Sequence, residues 1–132
     1  MVEPVALAAF SSSDDANAFR KVLSKLERLL DLPPNWDTYG SKQIARTAFK
    51  TTLALLFSIA NSGAQPPSVV PMSDGGLQLE WHTSNADLEL AVSPTGEVEV
   101  FLDTRDGETW DGPLAGSRDR LERFLRYVSR PA

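Results

Sequence analysis

Three stretches of the chain alternate apolar and polar side chains with a period of two. Leu77, Leu79 and Trp81 alternate with Gln78, Glu80 and His82. Leu88, Leu90 and Val92 alternate with Asp87, Glu89 and Ala91, and Val98, Val100 and Leu102 with Glu97, Glu99, Phe101 and Asp103. Successive strand side chains point to opposite faces, so the pattern predicts a sheet with one apolar face and one acidic face. Turn signals separate the runs. Asp74-Gly75-Gly76 and Ser93-Pro94-Thr95-Gly96 are hairpin turns, and they set a register in which Trp81 faces Leu88, Glu80 faces Glu89, and Val92 faces Val98. Ser68–Met72 reads as a first strand, with Pro71 confining it to an edge because proline lacks an N–H. Residues 105–112 read as loop, or a short strand around Thr109 and Trp110.

A period near 3.6 governs the rest. Phe19, Val22, Leu23, Leu26, Leu29 and Leu30 form one stripe of a helix that Ser13 caps, with Asp14 and Asp15 in its first turn. Pro33-Pro34 ends it, since the residue before a proline avoids the helical region. A second helix is predicted over about 42–61, capped by Ser41 and ended by Gly63. Ile44, Ala48, Phe49, Leu53, Leu56, Phe57 and Ala60 form its broad apolar face. A last helix, about 117–129, turns Leu121, Phe124, Leu125 and Val128 inward and Arg118, Arg120, Arg123 and Arg126 outward. The order predicts an α+β fold: a four-stranded antiparallel meander with two N-terminal helices and one C-terminal helix packed on one face. Residues 1–12 read as a flexible N-terminal arm and 13–132 as one domain, with Leu26, Phe57, Leu79, Trp81, Leu90, Val100 and Phe124 sharing its core.

Composition narrows the classes. At 132 residues the chain is near the usual size of one domain. It has no cysteine, so disulfides, thiol nucleophiles and thiolate metal sites are excluded, and a reducing cytoplasm fits best. The apolar N-terminus carries Glu3 and no cation, which makes a poor signal peptide, and no run is long enough to span a bilayer. The net charge of −5 is unevenly placed. Residues 68–111 hold ten acids against Arg105 alone, whereas residues 112–132 hold five arginines against Asp119 and Glu122. Phosphate recognition needs clustered cations, so direct nucleic-acid binding is disfavoured. No zinc spacing, phosphate loop or Ser-His-Asp order is present, and no cofactor or metal is expected.

The acidic face is therefore the first candidate site: Glu80, His82, Asp87, Glu89, Glu97, Glu99 and Phe101, offered to a protein partner with a basic surface. Opposed carboxylates destabilise a sheet unless a cation, a partner or solvent compensates. His82, the lone histidine, needs an orienting carboxylate to act as a base, and Asp87 stands opposite it. The alternative chemistry is a small carboxylate-based hydrolase or metal-binding enzyme around Glu80, Glu89 and His82. A third option is a structural subunit that self-associates through a sheet edge. The loop Asn35-Trp36-Asp37-Thr38-Tyr39-Gly40 is the alternative site, with Trp36, Asp37 and Tyr39 as its candidates. Its structural reading has Trp36 plugging the space between the N-terminal helices while Asp37 ties down the backbone.

Pro33-x-Asn35-Trp36-Asp37-x-Tyr39-Gly40, Pro67-x-Val69-x-Pro71, Asp74-Gly75-Gly76-x-Gln78-Leu79-Glu80-Trp81 and Ser93-Pro94-x-Gly96-Glu97 together resemble a scattered group of small bacterial and phage-borne proteins. The resemblance covers roughly residues 30–102. That group has no established activity, so it implies the α+β fold and a bacterial or phage setting, and it carries over no catalytic residue. In such a setting the acidic module would suit an antitoxin, an immunity protein or an inhibitor of a nucleic-acid-handling enzyme. The reading is non-enzymatic.

Overall fold

A computed structural model describes residues 13–114 and 118–129, and the predicted arm, residues 1–12, lies outside the described residues. Helix α1 runs over Ser13–Leu29 and buries Phe19, Leu26 and Leu29, the stripe its periodicity marks out. It unwinds into turns at Leu30 and Asp31, ahead of Pro33.

Helix α2 spans Arg46–Ala60, four residues shorter at its start than the sequence predicts. Ser41 does not cap it; Ala45 holds the cap position in an extended conformation with no side-chain hydrogen bond. The physical reason is tertiary. Lys42 N–H donates to the Ser73 carbonyl at 2.8 Å and Ala45 N–H to that of Gly75 at 2.9 Å, so this segment is committed to the neighbouring hairpin turn. Gly75 is required there: its φ is +94°, and a Cβ on it would lie 2.8 Å from the Gln43 carbonyl oxygen. The buried face of α2 is also rotated from the expected one. Thr52, Leu55, Leu56 and Ile59 are buried, while Phe57, expected in the core, is only half-buried.

The sheet has five strands in sequential order, not four: β1 (Ser68–Pro71), β2 (Leu77–His82), β3 (Ala86–Val92), β4 (Val98–Thr104) and β5 (Thr109–Pro113). All pairs are antiparallel. The register is the one the turns predict, with Trp81 opposite Leu88, Glu80 opposite Glu89 and Val92 opposite Val98. Strand β5 exists because Thr104 to Glu108 closes a turn in which Thr104 N–H reaches the Glu108 carbonyl at 2.9 Å. Its sequence, Thr-Trp-Asp-Gly-Pro, suits an edge, where Pro113 need not donate on the free side.

Leu77, Leu79, Trp81, Leu88, Leu90, Val92, Val100 and Leu102 all point to one face and are almost wholly buried. They join the inward residues of α1, α2 and α3 (Arg118–Leu125) in a single hydrophobic cluster. Trp81 satisfies its indole N–H on the Gln65 carbonyl at 2.7 Å. A 3-10 turn, Arg126–Val128, follows α3, and Gln65 N–H donates to the Val128 carbonyl, which ties the chain's end to the linker after α2. Glu108 adds a second tie by accepting from the Tyr127 hydroxyl and the Arg123 guanidinium.

Candidate functional site

The opposite face of the sheet is built from three cross-strand rows. Ser68, Glu80, Glu89, Phe101 and Asp111 form the middle row, each opposite the next. Val70, Gln78, Ala91, Glu99 and Pro113 lie on one side of it. His82, Asp87, Asp103 and Thr109 lie on the other. Phe101 is 45% exposed, and its neighbours on this face are Glu89, Asp111, Glu99 and Asp103. The register thus surrounds one exposed aromatic ring with carboxylates.

The histidine corner is the most structured part of this face. His82 Nδ1 lies 3.0 Å from Asp87 Oδ1, and its Nε2 lies 3.7 Å from Glu80 Oε2. Asp87 is held from the other side by Arg105, whose Nη1 is 3.5 Å from Oδ2 and whose Nη2 donates to the Thr83 carbonyl at 3.2 Å. The hydrogen bond to Asp87 raises the His82 pKa above its ordinary value, with Glu80 adding to the effect. The same bond, helped by Arg105, holds the Asp87 carboxyl below the usual carboxylate range. His82 is 61% exposed, whereas the Glu80 side chain is only 19% exposed. One donor atom each from Glu80, His82 and Glu89 lies within 4.8 Å of the other two, a spacing at which they could hold a metal ion.

The expected site residues therefore fall into two groups. Glu80, His82, Asp87 and Glu89 meet at one end, with Phe101 beside Glu89. Glu97 precedes β4 and, with Glu99, borders a groove at the other end of the sheet. Asp103 and Asp111 also belong to the face; their spacing of two and ten residues from Phe101, together with the β4–β5 hairpin, places them there. Arg105 gave no local signal, since it reaches Asp87 across 18 positions of sequence.

The groove has a volume of about 550 Å³ and runs between α2 and the ends of β4 and β5. Leu55 and Leu114 are buried within its lining, Val98 is half-buried, and Ala54, Ser58, Glu97, Glu99 and Pro113 are exposed along it. The β3–β4 turn closes on α2 here. A Cβ on Gly96, whose φ is +89°, would meet Thr51 Oγ1 at 2.9 Å and Thr47 Cγ2 at 3.0 Å.

The aromatic loop is a clip. Asp37 Oδ1 accepts from Tyr39 N–H at 2.8 Å and from Ser41 N–H at 3.2 Å, and Ser41 Oγ accepts from Asp37 N–H. These bonds, the Tyr39 amide first, hold the Asp37 carboxyl below its ordinary pKa. Asn35 Oδ1 accepts from Gly40 N–H at 2.7 Å. Asn35 and Thr38 both take left-handed backbone conformations, with φ of 63° and 67°. Trp36 is half-buried and donates to the Lys42 carbonyl at 3.1 Å, so it braces the loop and is not a core plug. Tyr39 points outward at 91% exposure.

Among the described residues no helix is long and apolar enough to cross a membrane. No protein-family model matches the chain, and no curated protein or solved structure matches it significantly.

Proposed function

We propose that the chain is a non-enzymatic interaction module whose outer sheet face binds a protein partner with a basic surface. The observation that carries this reading is Phe101, 45% exposed within a frame of Glu89, Glu99, Asp103 and Asp111. An apolar anchor in a polar rim is the anatomy of a protein interface. Carboxylates around it steer a cationic partner and reject anionic ones. In the bacterial or phage setting that the resemblance implies, such a face would serve an antitoxin, an immunity protein or an inhibitor, competing with phosphate for a basic groove.

A photo-crosslinking residue placed at Phe101, and separately at Tyr39, tests the assignment in the native cell. The expected result is a basic protein captured from position 101 and lost when Glu89 and Glu99 are changed to Gln. Capture from position 39 alone would move the site to the aromatic loop. With the captured partner in hand, the Glu89→Gln/Glu99→Gln variant should associate more slowly and depend less on salt.

One observation favours a second reading. Glu80, His82 and Glu89 converge, and Asp87 fixes the imidazole through Nδ1 so that Nε2 faces the carboxylates, the outer-shell arrangement of many metal-bound histidines. A mixed nitrogen and oxygen donor set suits Zn²⁺ or Mn²⁺. Calorimetric titration with each ion separates the readings: tight binding abolished by His82→Gln would support a metal centre, and heats no larger than those of the variant would dismiss it.

A further inference from the structure

The groove beside α2 shares Glu99 with the acidic face, and what it would accept is written in its lining. Leu55, Val98 and Leu114 offer apolar surface, while Glu97 and Glu99 stand at the margin on the sheet side. Among the described residues, no cation is part of the lining. At about 550 Å³ it lies within the size range of ligand sites. Its walls come from two rigid elements, α2 and the sheet, locked together where Gly96 rests on Thr47 and Thr51. A preformed groove spares its occupant the cost of ordering it.

We propose that this groove receives an aliphatic side chain from a segment of the basic partner, with Lys or Arg residues flanking that side chain and pairing with Glu97 and Glu99. The assignment rests on the acidic-face reading and extends it by naming the kind of segment recognised. Charge selects the occupant. Residues 1–12 of this chain are apolar but carry Glu3 and no cation, so they lack the complement to the rim. In a second copy, two of the α3 arginines are already engaged within the fold. Arg123 pairs with Glu108, and Arg120 stacks over the Trp110 ring at 4.7 Å and donates to the Pro113 carbonyl. A hydrophobic side chain seated beside two carboxylates is also a selective arrangement, since a neutral or acidic segment leaves both charges uncompensated.

The test uses the full chain, amide chemical shifts, and three blocked seven-residue peptides. The first has a central leucine flanked by lysines; the second replaces the leucine with alanine; the third replaces the lysines with glutamine. Binding of the first should shift the amides of Thr51, Ala54, Ser58 and Leu114. The alanine peptide should bind about tenfold more weakly, the loss expected for a few buried methyl and methylene groups. Ala54→Trp, at an exposed helix position, should fill the groove and erase the difference between the first two peptides. Ser58→Lys should weaken the leucine peptide by repulsion, and it provides the same answer if Ala54→Trp lowers the melting point. Equal binding of leucine and alanine peptides, with shifts confined to residues 80–91 and 101–111, would overturn the groove assignment and leave the acidic face standing. Tight binding of the glutamine peptide would overturn the proposed role of Glu97 and Glu99. Failure of both lysine peptides to bind anywhere would overturn the groove and the acidic-face reading together.

Discussion

Changing Glu89 to Gln should stabilise the fold while weakening its interactions. Glu80 and Glu89 stand directly opposite each other on the central strands β2 and β3. Opposed antiparallel side chains have Cβ atoms about 5 Å apart, and like charges there are destabilising. Two unit charges roughly 6 Å apart repel by about 0.7 kcal/mol even at the dielectric constant of water. That value lies inside the range of about 0.2–1 kcal/mol seen for cross-strand pairs. The Glu80 side chain is only 19% exposed, so solvent does not screen it completely. Glutamine keeps the shape of Glu89 and removes its charge, so the gain should be about 0.2–1 kcal/mol, or a rise of about 1–5 °C in melting temperature.

Two conditions make this prediction specific. His82 Nε2 lies 3.7 Å from Glu80 and, when protonated, offsets part of the repulsion. Its pKa is raised, chiefly by Asp87, so the imidazolium persists to higher pH than that of an ordinary histidine and is lost only as pH rises through the raised value. The gain from Glu89→Gln should therefore be larger at pH 9 than at pH 6. Salt should also shrink it, because the Debye length falls to about 3 Å at 1 M. Urea denaturation followed by tryptophan fluorescence, at both pH values and at 10 mM and 1 M salt, measures all of this. A variant less stable than the parent at pH 9 and low salt would refute the reasoning and show that the Glu89 carboxylate has a favourable partner. A gain indifferent to salt would refute its electrostatic origin.

Trp81→Phe removes the indole N–H that pairs with the partly buried Gln65 carbonyl and should cost about 1–3 kcal/mol in denaturant unfolding; an unchanged midpoint would mean that the carbonyl finds water. Asp37→Ala strips acceptors from the Tyr39 and Ser41 amides and should lower the melting temperature by a few degrees, whereas unchanged melting with lost binding would make the loop a site. Glu108 is held below its ordinary pKa, first by the Tyr127 hydroxyl and then by Arg123, so its contribution to stability is full above the unfolded carboxylate pKa and disappears as pH falls through the lower folded value. Glu108→Gln should therefore flatten the acid limb of a melting-temperature profile, and an unaltered limb would sink the assignment.

Much of the sheet was legible because alternation and turn chemistry constrain each other. The apolar runs exclude a slip of one residue, which would turn Leu88 and Leu90 to water, and the short turn between Thr83 and Ala86 sets Glu80 opposite Glu89. Strand β5 was not legible in that way. Its half-buried Trp110 and Gly112 do alternate with exposed residues, but glycine has no apolar side chain to mark the inner face in the sequence. Helix α2 failed differently. It is apolar on several sides, so periodicity could not choose between the Phe57 face and the Leu55–Ile59 face. Its start was set by hydrogen bonds to the β1–β2 turn, some 30 residues further along the chain. At the site, cross-strand neighbours followed from register, but Arg105 and the groove depend on how distant elements pack.

The composition of the outer face argues that folding alone did not shape it. The row of Val70, Gln78 and Ala91 shows that neutral side chains fit this surface. Yet the adjacent rows set Glu80 against Glu89 and Asp87 against Asp103, with His82 and Arg105 the nearby counter-charges at that end. Each opposed pair costs stability that a single substitution would recover. Phe101 compounds the cost, because an aromatic ring half open to water gives up part of the free energy that burial would supply. Charge repulsion and exposed apolar surface, coincident on one face, are both relieved by the same event: the arrival of a surface that is cationic at its edge and apolar at its centre. A solvated face needs the charges but has no use for the ring. Phe101→Ala therefore separates the two cases, since on a merely solvated face it would alter stability and solubility but no binding, and on an interface it should cost more binding than any one of the surrounding carboxylates.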